Sequence, residues 1–124
     1  MNHDQRCMIV DDQSDMRALV RVILETADEG IVVGCEATNG LEALERLEAC
    51  DPHVIIIDEA MPGMCGVDAA ARIVERRPFQ RFVLFSAYLT PELRARAAEE
   101  AGIRVCLAKE DFDLLPQAVR LAAN

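Results

Sequence analysis

Several residues that could do chemistry stand at the ends of short apolar runs. "CMIV" leads into Asp11 and Asp12, "VIII" into Asp58 and Glu59, "RFVLF" into Ser86, and "RVCLA" into Lys109. Carboxylates gathered in one place repel, so either one keeps its proton or a cation binds. Oxygen-only donors suit Mg²⁺, which retains several waters. An Asp beside that ion can attack phosphorus and form an acyl phosphate. The ion and the Lys109 ammonium would spread the charge of the moving phosphoryl group. The Ser86 hydroxyl could donate a hydrogen bond to a phosphoryl oxygen. Taken singly, each residue reads more readily as a cap or a solvated loop group. Their recurrence at four strand ends is what points to a site.

The elements that must position them alternate regularly. Strands are expected at "CMIV", "IVVGCEA", "HVIIID", "RFVLFSA" and "RVCLA", and helices at "SDMRALVRVILETADEG", "NGLEALERLEA", "GVDAAARIVERR", "TPELRARAAEEAG" and "LLPQAVRLAA". Met16, Leu19, Val20, Ile23 and Leu24 form one stripe of the first helix, with Ser14 placed to cap it and Gly30 to close it. Leu41, Leu44 and Leu47 repeat on the second helix, behind an Asn39 cap with Glu42 three residues on. Thr90 and Pro91 open the fourth helix and Gly102 closes it, while Pro116 is tolerable only in the first turn of the fifth. Strands that are continuously apolar are covered on both faces. Five βα units of this kind predict a five-stranded parallel, doubly wound α/β sheet, flavodoxin-like, filling residues 1–124 as one domain. In such a sheet, ligands sit at the carboxyl ends of the strands, where the acidic and basic residues above fall. The apolar third strand is then a rigid rod that fixes Asp58, with Pro62 and Gly63 shaping the loop beside it.

Composition narrows the function. The formal net charge of −9 disfavours direct contact with nucleic acid, and 52% hydrophobic residues allow a substantial core. No run of 18 apolar residues is present and the N-terminus does not read as a signal peptide, so neither a membrane span nor secretion is expected. The five cysteines, at 7, 35, 50, 65 and 106, include no C-x-x-C pair. A disulfide framework and a zinc site are therefore not expected, and a reducing cytoplasm fits.

These residues resemble the response regulator receiver domains of two-component signalling. The likeness runs the length of the chain: Asp-Asp after the first strand, "IIIDEAMPGMCG", "FSA", and a lysine after the fifth strand. The resemblance implies that Asp58 is the phosphoacceptor and that Asp11 and Asp12 are the metal-binding pair. It adds the Ala60 carbonyl as a further Mg²⁺ ligand and places Ser86 and Lys109 against the phosphoryl group. The donor would be a phosphohistidine on a sensor histidine kinase or phosphotransfer protein, or a small acyl phosphate. Met16 and Leu19 are candidates to meet that donor, although core packing explains them as well. The chain would be a signalling domain with only self-catalysed phosphotransfer and dephosphorylation. It would act through an effector domain, through a partner protein, or as a homodimer through helix four, strand five and helix five. The second strand and its flanking helices resemble receivers joined to DNA-binding domains.

Three positions depart from the family pattern. Cys106 stands where strand five usually carries an aromatic switch residue, Glu110 where a proline follows the lysine, and Cys65 where an Asp often precedes the loop glycine. A small thiol gives no lever to swing. The switch is therefore expected to involve Ser86 and the adjoining loop holding Tyr88, with Cys106 staying inward, or else to be small, although a surface contact role explains Tyr88 as well. Other readings fit less well. A dehalogenase-type phosphatase needs a second Asp at the position of Ala60. A flavin binder needs a phosphate-cradling first turn where "DDQSD" stands. A pseudo-receiver acting only by protein contact would not need the full set of Asp11, Asp12, Asp58, Ser86 and Lys109.

Overall fold

A computed structural model describes residues 4–27 and 30–124. Its elements are β1 (Gln5–Val10), α1 (Ser14–Thr26), β2 (Ile31–Ala37), α2 (Gly40–Cys50), β3 (Val54–Ile57), α3 (Gly66–Arg76), β4 (Arg81–Ser86), α4 (Pro91–Ala101), β5 (Val105–Ala108) and α5 (Leu115–Ala123), with a 3₁₀ segment at Lys109–Leu114. All strand pairs are parallel, in the order β2-β1-β3-β4-β5. The order reverses between β1 and β3, and each of these strands is followed by an Asp. That is the expected doubly wound sheet, and among the described residues no helix is long and apolar enough to cross a membrane.

The strand pleat divides the core in two. Met8, Val10, Ile55, Ile57 and Leu84 point to one face, where α2, α3 and α4 pack, and Cys7, Ile9, Ile56, Val83 and Phe85 point to the other, under α1 and α5. Central strands buried on both sides explain why β3 is apolar at every position. Burying that surface supplies the main driving force for holding the strand ends in place.

Some local expectations are corrected. Ser14 is the first residue of α1, not its cap. Gln13 takes the N-cap position without a side-chain bond, and its own N–H donates to the Asp11 carboxylate at 2.9 Å. Gly30 has φ 72°, but α1 ends at Thr26, and the expected continuation through Asp28 and Glu29 lies outside the described residues, as do Met1–His3. Leu19 and Leu41 are exposed, so neither stripe is buried throughout. The segment after β5 first winds as a 3₁₀ turn, which delays α5. The Asn39 and Thr90 caps form as expected, accepting from the Glu42 and Leu93 N–H groups at 2.9 and 3.0 Å. Glu42 returns the bond by accepting from the Thr38 N–H at 2.8 Å.

The cysteine expectation is also corrected. Cys35 on β2 and Cys50 at the end of α2 are joined as a disulfide, with Cα atoms 6.1 Å apart. Spacing in sequence did not suggest the pair because only the packing of α2 on β2 brings the two together.

Candidate functional site

Strand pairing assembles the site. The Asp11 N–H donates to the Ala37 carbonyl at 3.1 Å and the Asp58 N–H to the Val10 carbonyl at 3.0 Å, so both residues continue their ladders one step past the strands. Asp11 and Asp58 are 3% and 5% exposed, while Asp12 is exposed. Each of Asp11, Asp12 and Asp58 nevertheless offers a carboxylate oxygen to one cluster, with those atoms all within 4.8 Å of one another.

Lys109 enters from the end of β5. Its Nζ lies 3.0 Å from Asp11 Oδ2 and 3.3 Å from Asp58 Oδ2, with only 15% of its side chain exposed. Burial works against the ammonium, yet the Asp11 hydrogen bond and the charges of Asp58 and Asp11 outweigh it and hold its pKa above the ordinary lysine value. Asp58 is pushed above the usual carboxylate range, first by burial and further by the Asp11 charge, against the opposing pull of Lys109 and the Ala60 N–H. Three carboxylates and one ammonium leave the cluster two charges short of neutrality, the charge of one divalent cation. The donors are all hard oxygens. The residues present therefore fit a small divalent ion such as Mg²⁺.

The raised pKa of Asp58 has a testable sign. A carboxyl that holds its proton more tightly when folded stabilises the fold at low pH. It loses that contribution as pH climbs from the unfolded value, about 3.9, toward the higher folded one. In metal-free buffer at pH 7, Asp58→Asn should melt above the wild type, and the gap should narrow toward pH 4. Thermal melts in EDTA across that range check it; a gap independent of pH would remove this account of Asp58.

Ser86 ends β4, pairs in register with Ala108 of β5, and is 4% exposed. Its Oγ donates to the Tyr88 carbonyl and accepts from the Tyr88 N–H, both at 3.4 Å. Tyr88 itself is 84% exposed. Cys106 is half-buried and packs against the core face under α4. Ala60 is exposed in the loop after β3, beside the Asp58 carboxylate. Met16 is half-buried against the α1 core and Leu19 is exposed. A cavity of about 580 Å³ between the starts of α2 and α3, lined by Asn39, Leu41, Met64 and Arg72 among others, includes none of the clustered acids, Ser86 or Lys109.

The roles of two residues at the site were not legible in the sequence. Gly66 starts α3 directly beneath the phosphoacceptor candidate: a Cβ built there would meet the Asp58 carbonyl oxygen at 2.2 Å. The "M-x-G" spacing marked this glycine but not its reason. Glu59 is the second. Its Oε1 accepts from the Val67 N–H at 2.9 Å, and its Oε2 lies 3.7 Å from Arg96 of α4. The same guanidinium reaches Asp68 at 2.6 Å, Glu100 at 2.7 Å and Cys65 Sγ at 3.7 Å. Arg96 thus fastens α4 to α3 and to the residue next to Asp58. Exposed pairs of this kind contribute little stability singly.

Comparison with known proteins agrees with this architecture. The sequence model of the family described as "Response regulator receiver domain" matches residues 7–120. The chemotaxis protein CheY of Thermotoga maritima is 37% identical over 83 residues, 67% of this chain and 68% of that protein. The protein-glutamate methylesterase/protein-glutamine glutaminase 1 of Rhizobium johnstonii is 31% identical over 130 residues, and the match takes in all of this chain but only 37% of that protein. A two-component response regulator of the LuxR family from Aurantimonas sp. SI85-9A1 superposes with a TM-score of 0.88 at 27% identity, over 95% of this chain and 84% of that one. Fold, strand-end chemistry and relatives agree that the chain belongs to the response regulator receiver domain family.

Proposed function

We propose that Asp58 is the residue phosphorylated in this receiver domain and that Asp11, Asp12, Asp58 and the Ala60 carbonyl hold the Mg²⁺ that phosphorylation needs. The observation that carries this reading is the position of Lys109, whose ammonium touches both Asp11 and Asp58 inside the three-carboxylate cluster. The donor is a phosphohistidine on a sensor histidine kinase or phosphotransfer protein, or a small acyl phosphate. A carboxylate oxygen of Asp58 attacks phosphorus as the bond to the donor nitrogen or oxygen breaks. Lys109 neutralises charge on the transferring group, and Ser86 donates to one of its oxygens. When bound, Mg²⁺ supplies further positive charge to the same oxygens. The chain catalyses only its own phosphorylation and dephosphorylation, in the cytoplasm, as one domain over 1–124.

Recruiting Ser86 to a phosphoryl oxygen would take its hydroxyl from Tyr88, releasing the loop ahead of α4. The response then reaches the surface of α4, β5 and α5 through Tyr88 and α4, while Cys106 stays packed. Output is through an attached effector domain, a partner protein or a homodimer formed on that surface, and another domain or protein makes any contact with DNA.

The metal assignment is tested at Asp12, which is exposed and can be changed without disturbing the core. Asp12→Ala should weaken Mg²⁺ binding by about tenfold or more, read by calorimetry or by NMR shifts, and should slow labelling by acetyl phosphate. Wild-type labelling should stop in EDTA. Unchanged Mg²⁺ affinity in the variant would contradict the assignment.

A further inference from the structure

We propose that Cys35 and Cys50 form a reversible dithiol–disulfide site, oxidised by a low-molecular-weight disulfide and reduced by the matching thiol, separate from the phosphorylation chemistry. The proposal begins from the pleat of the sheet. Along β1, Cys7 and Ile9 face α1 and α5, and Met8 and Val10 face α2. In β2, Val33 pairs with Cys7, but Met8 pairs with Cys35, so Gly34 is an inserted residue. Paired residues share a face. Regular alternation from Val33 would have turned Cys35 toward α1, and the bulge turns it toward α2 instead. The next residues show the same reversal: Glu36 reaches Arg17 and Arg21 of α1, and Ala37 joins the α2 side.

The bulge also makes room. A Cβ at position 34 would lie 2.8 Å from Arg6 Cγ and 3.7 Å from Cys50 Sγ. Gly34 therefore lets Arg6 lie across the strand, where its Nε donates to the carbonyls of Cys50 and Asp51 at 3.0 and 3.1 Å. Those bonds hold the end of α2, and with it Cys50, over β2. A Cα separation of 6.1 Å is within the range that a disulfide spans without backbone movement.

Access differs between the cysteines in a way that suits exchange. Cys35 is half-buried on an edge strand, whereas Cys50 is only 9% exposed, so Cys35 is the more accessible of the two. The Cys35 thiolate attacks one sulfur of the external disulfide and expels one thiolate. The Cys50 thiolate then attacks the Cys35 sulfur of the mixed disulfide and expels the second. Two protein thiols and one external disulfide become one protein disulfide and two external thiols. Cys7 is excluded, being fully buried with a thiol pushed up to about 12 by desolvation. In a reducing compartment the pair rests as thiols, and a disulfide there is more often a sensor than a staple.

The test uses the unmodified protein in a series of glutathione–glutathione disulfide mixtures, acid-quenched, unfolded, labelled with a maleimide and mapped by peptide mass. Cys35 and Cys50 should pass together from labelled to protected as the mixture becomes oxidising, while Cys7, Cys65 and Cys106 stay labelled. The oxidised form should remain monomeric on a non-reducing gel. It should melt about 5–10 °C above the reduced form, because the cross-link closes a loop in the unfolded chain. Cys35→Ser should lose that redox-dependent difference. Full labelling in the most oxidising mixture, protection of Cys35 as a glutathione adduct with Cys50 still labelled, or cross-linked dimers would each overturn the proposal.

Discussion

Asp58→Asn should take up no phosphoryl group from acetyl phosphate and Mg²⁺, under conditions in which the wild type gains about 80 Da. The expectation rests on the contrast among the three clustered acids. Asp11 has one oxygen on the Gln13 N–H and the other on Lys109, which leaves it committed to holding the site together. Asp12 is exposed and is suited to ion binding. Asp58 is buried, touched by Lys109 on one oxygen, and carried just past the tip of a strand buried at every position. Asn keeps its shape and removes the nucleophilic charge, so the loss should be complete while the fold persists. Intact-mass measurement of both proteins decides it, and equal labelling would move the acceptor elsewhere.

Gly66→Ala should be the most damaging single-methyl change near the site. The added carbon would meet the Asp58 carbonyl oxygen at 2.2 Å, its carbonyl carbon at 2.9 Å and Glu59 Cα at 3.0 Å. All three are backbone atoms, so no side-chain rotation relieves the overlap. Either α3 withdraws, breaking the Gly66 N–H bond to the Glu59 carbonyl, or the loop after β3 shifts and takes Asp58 with it. A loss of about 3 kcal/mol is expected, at the upper end for an overpacked site. Because displacement of Asp58 is one route of relief, the labelling rate of the folded variant should fall as well. Urea unfolding and initial rates with acetyl phosphate measure the two effects separately. A variant as stable as the wild type would mean that the helix start is more compliant than this packing implies.

The parts of the molecule that could be read from the sequence are those set by local chemistry. The β3 run "VIII" has no polar position, so its burial on both faces and the placing of Asp58 at its end followed directly. Asn39 and Thr90 were legible as caps because each faces an N–H three residues on. Ser14 was misread because α1 begins one residue earlier than its capping chemistry suggested, with Gln13 in the N-cap position. The Cys35–Cys50 pair was hidden for a different reason. Period-two alternation puts Cys35 on the wrong face, and only the register against β1 shows that Gly34 is an extra residue. The Arg96 cluster was also out of reach, since its partners come from the loop after β3, from α3 and from α4 itself.

That arginine carries a thermodynamic obligation. Because Arg96 links α4 to Glu59, the neighbour of Asp58, a protein that held α4 in a position without that contact would shift the energetics of the acceptor loop. By reciprocity, modification of Asp58 would then change the affinity of that protein by the same factor. A listener on the outer face of α4 would therefore not be passive. Its abundance in the cell would help set how much of the domain is phosphorylated, and the downstream target would become one of the inputs.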